Sequence, residues 1–224
     1  MNYKLTRSKR KTVAIYIRDG GVDVRAPLAM TKQEIDNFVA SKEKWITDKL
    51  IKSREQLNRR GEFALTYGST ILYRGKGYPI AAKSGSRAGF DAAAFYMPPD
   101  LSPEQIKSAC VQIYLMLAKC DLPAITLNLA KKMGAMPSDI KINSAKKRWG
   151  SCSSRKSINF SWYLIMADDA LIEYVVVHEL AHLHEMNHSA RFWKIVENVL
   201  PDYKERQERL FELQKRLAGE DWGR

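Results

Sequence analysis

The feature that most constrains this chain is the clustering of its histidines. All four lie within eleven residues, in the segment HELAHLHEMNH that begins at His178. The first five letters are H-E-x-x-H, and on a helix the two histidines of this motif share one face with Cβ atoms about 5–6 Å apart. Two imidazoles so placed can bind one zinc ion. The residues before the motif are apolar nearly all round, which predicts a buried helix: Leu171, Ile172, Tyr174, Val175 and Val176.

Glu179 follows the first histidine and is the candidate catalytic residue. It projects about 100° round the helix from His178, so it can flank a metal ion without binding it. A carboxylate in that place can take a proton from metal-bound water, which is the role of a general base. A random chain of this length contains the motif with a probability of about one in a hundred. The pattern therefore predicts a zinc-dependent hydrolase.

A catalytic zinc ion needs a third protein ligand and an open position for water. His188 is the favoured third ligand after His178 and His182, because Asn187 can end the helix in the left-handed conformation and turn the chain back. Glu197 is the alternative. The fourth histidine, at position 184, projects about 120° away from the first one, so we expect it on the helix surface or in a hydrogen bond.

Composition predicts a folded protein of one large or two small domains. The 224 residues are 45% hydrophobic and 28% charged, close to the average for globular proteins. The chain has no unbroken run of 18 apolar residues, and its N-terminus lacks the apolar segment of a secretory signal. Three cysteines without C-x-x-C spacing favour reduced thiols. We therefore expect a cytoplasmic protein without a membrane partner.

Positive charge is concentrated in two parts of the chain, residues 1–60 and residues 101–160, the latter with 10 Lys and Arg against 3 Asp and Glu. The net charge is +12; residues 1–60 carry 15 Lys and Arg against 7 Asp and Glu, whereas residues 161–224 carry 8 against 12. This distribution suits a polyanionic partner or substrate. A solvated basic surface is the alternative interpretation.

The N-terminal part alternates as β-strands do. Residues 12–17 and 22–25 flank Asp19-Gly20-Gly21, a pattern that predicts a β-hairpin. Thr31 and a glutamate three positions later form a capping box. It begins one long helix that we expect to reach about Leu57.

Glycine-interrupted short strands follow at 61–97. Met97-Pro98-Pro99-Asp100 then combines a turn signal with a change of pattern. It is the predicted boundary between a basic, β-rich N-terminal region, 1–100, and a catalytic domain, 101–224.

The second half alternates helices and strands, which makes the predicted fold class α+β. Ser102 followed by Pro103 is typical of a helix N-terminus, and Gly134 is typical of a helix end. In chain order, the sequence predicts helices at 103–119 and 122–133, strands at 140–142 and 158–166, a helix from Asp168 or Asp169 through the histidine motif to about His184, and helices at 190–199 and 201–217.

Three blocks in the second half resemble a known family. They are KRWGSC at 147–152, YVVVHELAHL at 174–183 and NHSARFW at 187–193. They are similar to the YgjP-like zinc metallopeptidases, with SprT-type and WLM-type proteases as more distant relatives. Shorter matches before residue 50 extend the resemblance over most of the chain. It implies a zincin-like catalytic core with a small sheet and an active-site helix, with His178, His182 and His188 as zinc ligands and Glu179 as the base.

Three functions remain open at this point. The first is a metallopeptidase that hydrolyses peptides or proteins. The second is a zinc-dependent nucleoside triphosphate pyrophosphohydrolase on the same site, for which the basic residues at 146–148 and in the first half are suited. The third is a nucleic-acid-associated protease with the basic N-terminal half as docking surface. Arg148 is a candidate substrate-binding residue, since its charge can meet an anionic group or an oxyanion.

Overall fold

The structure, a computed structural model that describes residues 1–18 and 20–223, has the predicted α+β architecture. The described residues form two compact units. One comprises Met1–Phe63 with Gly219–Asp221, and the other comprises Ala64–Ala218 with the residues that follow Asp221. Residue 100, the predicted boundary, lies inside the second unit, because the strands before it pack against the helix after it.

The first unit is a three-stranded sheet covered by helices. Its strands β1 (Lys4–Ser8), β2 (Ala14–Arg18) and β3 (Gly21–Pro27) are ordered β1-β3-β2. The predicted hairpin of β2 and β3 is antiparallel, and β1 pairs with β3 in parallel. Asp19, in its predicted turn, lies outside the described residues. Alternate residues of β3 are buried against helices α1 (Lys32–Ala40) and α2 (Glu43–Glu62), where the core consists of Val22, Val24, Ala26, Ile35, Val39 and Ile46.

The single long helix predicted from Thr31 is instead a pair of helices. Thr31 and Glu34 form the predicted capping box, but α1 ends at Ala40. The Ser41 hydroxyl donates a hydrogen bond to the Phe38 carbonyl oxygen. Serine side chains that bond to the backbone in this way compete with helix continuation. The chain turns here, and α2 then runs for 20 residues.

The second unit contains two sheets and four helices. The elements are β4 (Thr70–Tyr73), β5 (Lys76–Ala82), β6 (Gly89–Phe90), β7 (Phe95–Met97), α3 (Pro103–Met133), β8 (Asp139–Asn143), β9 (Gly150–Cys152), β10 (Ser157–Ser161), α4 (Asp169–Ala181), α5 (Ala190–Val199) and α6 (Tyr203–Leu217). The first sheet, ordered β4-β5-β7-β6, precedes α3 in the chain, and the second, ordered β8-β10-β9, follows it.

Helix α3 replaces the two helices predicted on either side of residue 120. Ser102 caps its start and Gly134, with φ of +62°, caps its end, as predicted. Pro123 lies inside the helix without ending it. An interior proline costs about 3 kcal/mol, and the burial of Leu122 and of α3 residues on both sides of it outweighs that cost.

Helix α3 is also long and apolar enough to cross a membrane, judged by length and composition alone. Lys119 and Asp121 interrupt its apolar stretch, which is why the sequence contains no unbroken apolar run. Its buried residues pack within the second unit, as those of a core helix do, and include Ile106, Cys110, Ile113, Tyr114, Ala118 and Leu129.

The predicted strand at 158–166 ends at Ser161. The Ser161 hydroxyl accepts a hydrogen bond from the backbone N–H of Tyr163 and begins a 3₁₀ helix, Trp162–Met166. All five residues of that helix are buried. It leads directly into the start of α4.

The turn between β4 and β5 supports the start of α4. Arg74 and Gly75 both have positive φ, 48° and 76°, as a two-residue hairpin turn requires. Their backbone N–H groups donate to the carbonyl oxygens of Ile165 and Met166, at 2.8 and 3.2 Å. A Cβ on Gly75 would lie 2.6 Å from the Cβ of Asp168, so only glycine permits this close approach.

We predict that Gly75→Ala lowers the free energy of unfolding by at least about 2 kcal/mol, because it combines left-handed strain with a clash. Gly68→Ala is the matched control: Gly68 also has positive φ, 87°, but open space around its Cβ position. Urea unfolding of both variants measures the difference. Equal losses would mean that the contact with Asp168 contributes nothing.

Candidate metal centre and catalytic site

Helix α4 carries the histidine motif and is buried along most of its length. Asp168, one of the two predicted caps, accepts a hydrogen bond from the Leu171 N–H at the start of the helix. The helix ends at Ala181, three residues earlier than predicted, yet His182 keeps helical angles of −64° and −18°. His178 and His182 therefore remain on one face, as the motif requires.

The structure brings His178, His182 and His188 together. Their ring centroids form a nearly equilateral triangle with sides of 4.8, 5.0 and 5.0 Å. One ligand atom from each lies within 4.8 Å of the others. The Nε2 atoms of His178 and His188 are 3.1 Å apart. Nitrogen ligands of a tetrahedral zinc ion lie about 3.3 Å from one another, so this donor set fits zinc.

The chain reaches His188 by a route different from the predicted one. Asn187 is not left-handed: among the described non-glycine residues, positive φ occurs at four other positions. Instead, the backbone N–H groups of His184 and Glu185 both donate to the Ala181 carbonyl oxygen. The Ser189 hydroxyl then caps α5 by accepting from the Phe192 N–H.

Phe192 is a site residue that lies inside the block NHSARFW, where the sequence analysis assigned it no role in the site. It is fully buried, and its ring centroid lies 4.5 to 5.0 Å from those of all three histidines. An apolar ring behind the imidazoles limits their rotation. Its position in the first turn of α5, four residues after His188, is the sequence signal that could have found it.

The imidazoles are held in the form that binds metal. The Nδ1 atom of His182 donates to the Glu185 carbonyl oxygen at 3.2 Å, which leaves Nε2 free as a ligand. Burial, together with the neighbouring histidines, lowers the pKa of His178 to about 3. The Nδ1 atom of His178 is buried without a hydrogen-bond partner among the described residues. A neutral imidazole offers a nitrogen lone pair to a cation, so the lowered pKa of His178 suits a metal ligand.

Glu179 lies next to this cluster and points elsewhere, as its helix position predicts. It is only 6% exposed, and burial raises its pKa to about 8, while the charge of Arg148 opposes that rise. Its side chain touches the backbone of β9. A Cβ on Gly150 would lie 2.6 Å from Glu179 Oε1 and 2.7 Å from its Cγ.

The other residues that the sequence analysis considered for the site lie outside the cluster of three histidines. Glu197, the alternative third ligand, is exposed and forms an ion pair with Lys194 at 2.9 Å. The His184 ring hydrogen-bonds to the Met133 carbonyl oxygen, in keeping with its expected surface role. Arg148 is exposed just before β9, and its charge acts on the Glu179 carboxylate.

A cleft of about 290 Å³ opens beside Glu179. It is lined by α4, by the start of β9 and by one face of α6, a helix that the sequence did not connect with the site. Most of the lining is apolar or aromatic: Trp149, Gly150, Tyr174, Val175, His178, Glu179, Gln207, Leu210, Phe211 and Gln214.

Two histidines and a buried glutamate in an H-E-x-x-H motif on one helix, with a third histidine converging on them, are typical of metal-dependent peptidases. The model of the YgjP-like metallopeptidase domain matches residues 11–212, and the chain belongs to this family.

No curated protein matches this chain. Two solved structures are similar in part. The zymogen of abylysin from Pyrococcus abyssi is 24% identical, with a TM-score of 0.38 over 41% of this chain and 92% of abylysin. The zymogen of jannalysin from Methanocaldococcus jannaschii is 22% identical, with a TM-score of 0.37 over 41% and 95%.

The third ligand can be tested directly. We predict that His188→Ala weakens zinc binding at least about a hundredfold, because one of three convergent donors is lost. Glu197→Gln should leave the affinity unchanged, since that carboxylate pairs with Lys194. Competition with a chromophoric chelator measures both. The reverse result would make Glu197 the ligand.

Proposed function

We propose that this protein is a zinc-dependent peptidase in which His178, His182 and His188 hold the metal and Glu179 is the general base. The observation that carries the proposal is the placement of Glu179. Its buried carboxylate lies against Gly150 in the wall of an apolar cleft that His178, one of the three clustered histidines, also lines. Membership of a metallopeptidase family supports the same reaction class.

The chain's own residues divide the proposed reaction between them. Zinc bound by three imidazoles supplies Lewis acidity and lowers the pKa of a water molecule. The Glu179 carboxylate accepts a proton from the attacking water and delivers it to the leaving amine nitrogen as the peptide bond breaks. The positive charge of Arg148, already acting on this site, suits the carbonyl oxygen that becomes negative.

Two features of the site suit an extended peptide. Strand β9 is an edge strand, because it pairs only with β10 in its sheet. An unpaired edge offers N–H and carbonyl groups to which a peptide backbone can add as another strand. The cleft continues from Glu179 between β9 and α6, and its apolar lining suits a nonpolar substrate side chain. We therefore propose peptides or unfolded protein segments as substrates.

The pyrophosphohydrolase alternative requires cations around a chain of phosphates. The cleft beside Glu179 is lined by aromatic, aliphatic and amide side chains, with no Lys or Arg among them. Arg148 is the cation whose charge reaches Glu179. This lining favours a peptide over a nucleotide, and both substrates are included in the experiment that follows.

We predict that Glu179→Gln abolishes hydrolysis, with a loss of at least about a thousandfold, while zinc binding is retained. The wild type and the variant, both loaded with zinc, are compared on a casein pool, on a peptide library and on nucleoside triphosphates. Glu179-dependent cleavage next to nonpolar residues is the expected result. Phosphate or pyrophosphate release without proteolysis would overturn the peptidase proposal.

We predict that Gly150→Ala lowers peptidase kcat at least about a hundredfold, because the new Cβ displaces the Glu179 carboxylate and a shift of about 1 Å is enough for such a loss. Zinc affinity should remain within about threefold, since the atoms nearest to the new Cβ all belong to Glu179. Ser151→Ala on the same strand is the control. A variant as active as the wild type would contradict the role assigned to this contact.

A further inference from the structure

The sheet of the first unit has one face that its helices do not cover. Side chains of Leu5, Ile15 and Ile17 point to the helical core. Strand alternation and the observed register place the neighbouring residues on the opposite face. Its polar members include three cations, one aromatic residue and one carboxylate, which we call the basic sheet face: Lys4, Tyr16, Arg18, Asp23 and Arg25.

The centre of the basic sheet face is a row of Arg25, Tyr16 and Arg18. The two guanidinium carbons lie 5.0 and 5.2 Å from the Tyr16 ring centroid. Cation–π contacts of this kind hold the arginine side chains in place. The guanidinium N–H groups remain available, because both arginines are exposed and neither forms an ion pair among the described residues.

Some other arginines of the chain are held in ion pairs. Arg74, Arg206 and Arg209 in the second unit all form ion pairs with aspartate or glutamate, at 2.6 to 2.7 Å. The first unit carries 15 Lys and Arg against 10 Asp and Glu, so positive charge is in excess there. Exposed guanidinium groups that are already oriented suit an external anion.

More positive charge lies at one end of the same sheet. Ser8 pairs with Pro27, and Ala14 pairs with Arg25. The connection from β1 to β2 therefore passes the end of β3 that carries Arg25. That connection contains Lys9, Arg10 and Lys11.

We propose that the basic sheet face binds single-stranded nucleic acid. Its cations extend over a sheet about 10 Å wide and about 17 Å long, which suits several consecutive phosphates. The partly exposed tyrosine and the two guanidinium groups over its ring offer flat groups on which an unpaired base can stack. In duplex nucleic acid the faces of the bases are stacked on one another, and a lipid surface has no bases. Neither ligand would therefore stack on Tyr16 at the centre of the row.

The test uses the full chain and fluorescence anisotropy of a short, labelled, mixed-sequence oligonucleotide as single-stranded DNA, single-stranded RNA and duplex DNA. The single strands are expected to bind at least about tenfold more tightly than the duplex. Comparison of the two single strands identifies which sugar is preferred. Duplex DNA or vesicles of anionic phospholipid bound as tightly as the single strands would overturn the proposal, as would an absence of binding at low salt.

Variants separate the two components of the surface. Arg18→Gln with Arg25→Gln should weaken binding at least about tenfold. The slope of the logarithm of the binding constant against the logarithm of the salt concentration should become shallower by about 1.4, which is about 0.7 for each phosphate that is no longer neutralised. Tyr16→Leu should weaken binding at least about fivefold with the salt dependence unchanged, whereas Tyr16→Phe keeps the affinity.

Two control variants test whether net charge alone or loss of folding explains the weaker binding. Lys49→Gln with Lys52→Gln removes the same charge from α2 and should change the affinity less than about threefold; a loss equal to that of the arginine pair would show that net charge alone drives binding. Asp23→Asn removes the one carboxylate of the face and should tighten binding, which an unfolded variant cannot do. Weaker binding by this variant would contradict the proposal.

Discussion

The contact between the Glu179 side chain and the backbone of Gly150 is the constraint on which the site depends. A side chain at position 150 would overlap the carboxylate, 2.6 Å from its oxygen. Strand β9 can therefore lie against α4 only because this residue is glycine. The same approach excludes water from Glu179, raises its pKa, and makes β9 one wall of the cleft. The relative positions of α4, of β9 and of the cleft therefore all depend on Gly150, which has no Cβ.

The opposite end of α4 is held by polar interactions that leave the histidines free. Asp168 caps the helix, pairs with Arg209 at 2.6 Å and touches Gly75. Arg206 of α6 hydrogen-bonds to the Ala170 carbonyl oxygen and is only 13% exposed, so its interactions are screened less than those of a surface pair. Because α6 is anchored there, its apolar face is positioned along the cleft beside Glu179.

The parts of this structure that could be predicted are those governed by neighbours in the sequence. The caps at Thr31 and Ser102 depend on residues three positions away, and the two motif histidines depend on helical spacing. The parts that could not be predicted depend on tertiary packing or on one local competing bond. Helix α3 continues through Pro123 because its flanks are buried, and no local pattern connects α6 with the cleft.

This distinction also separates the two components of the site. The three imidazoles come from one helix end and the turn that follows it, so they can assemble with little loss of chain entropy. The environment of Glu179 is assembled from β9 and α6, which are more than 20 residues away in the sequence. Metal affinity should therefore depend mainly on a local segment, whereas the basicity of Glu179 depends on the packing of the whole second unit. A change that loosens this packing would lower activity before it releases the metal.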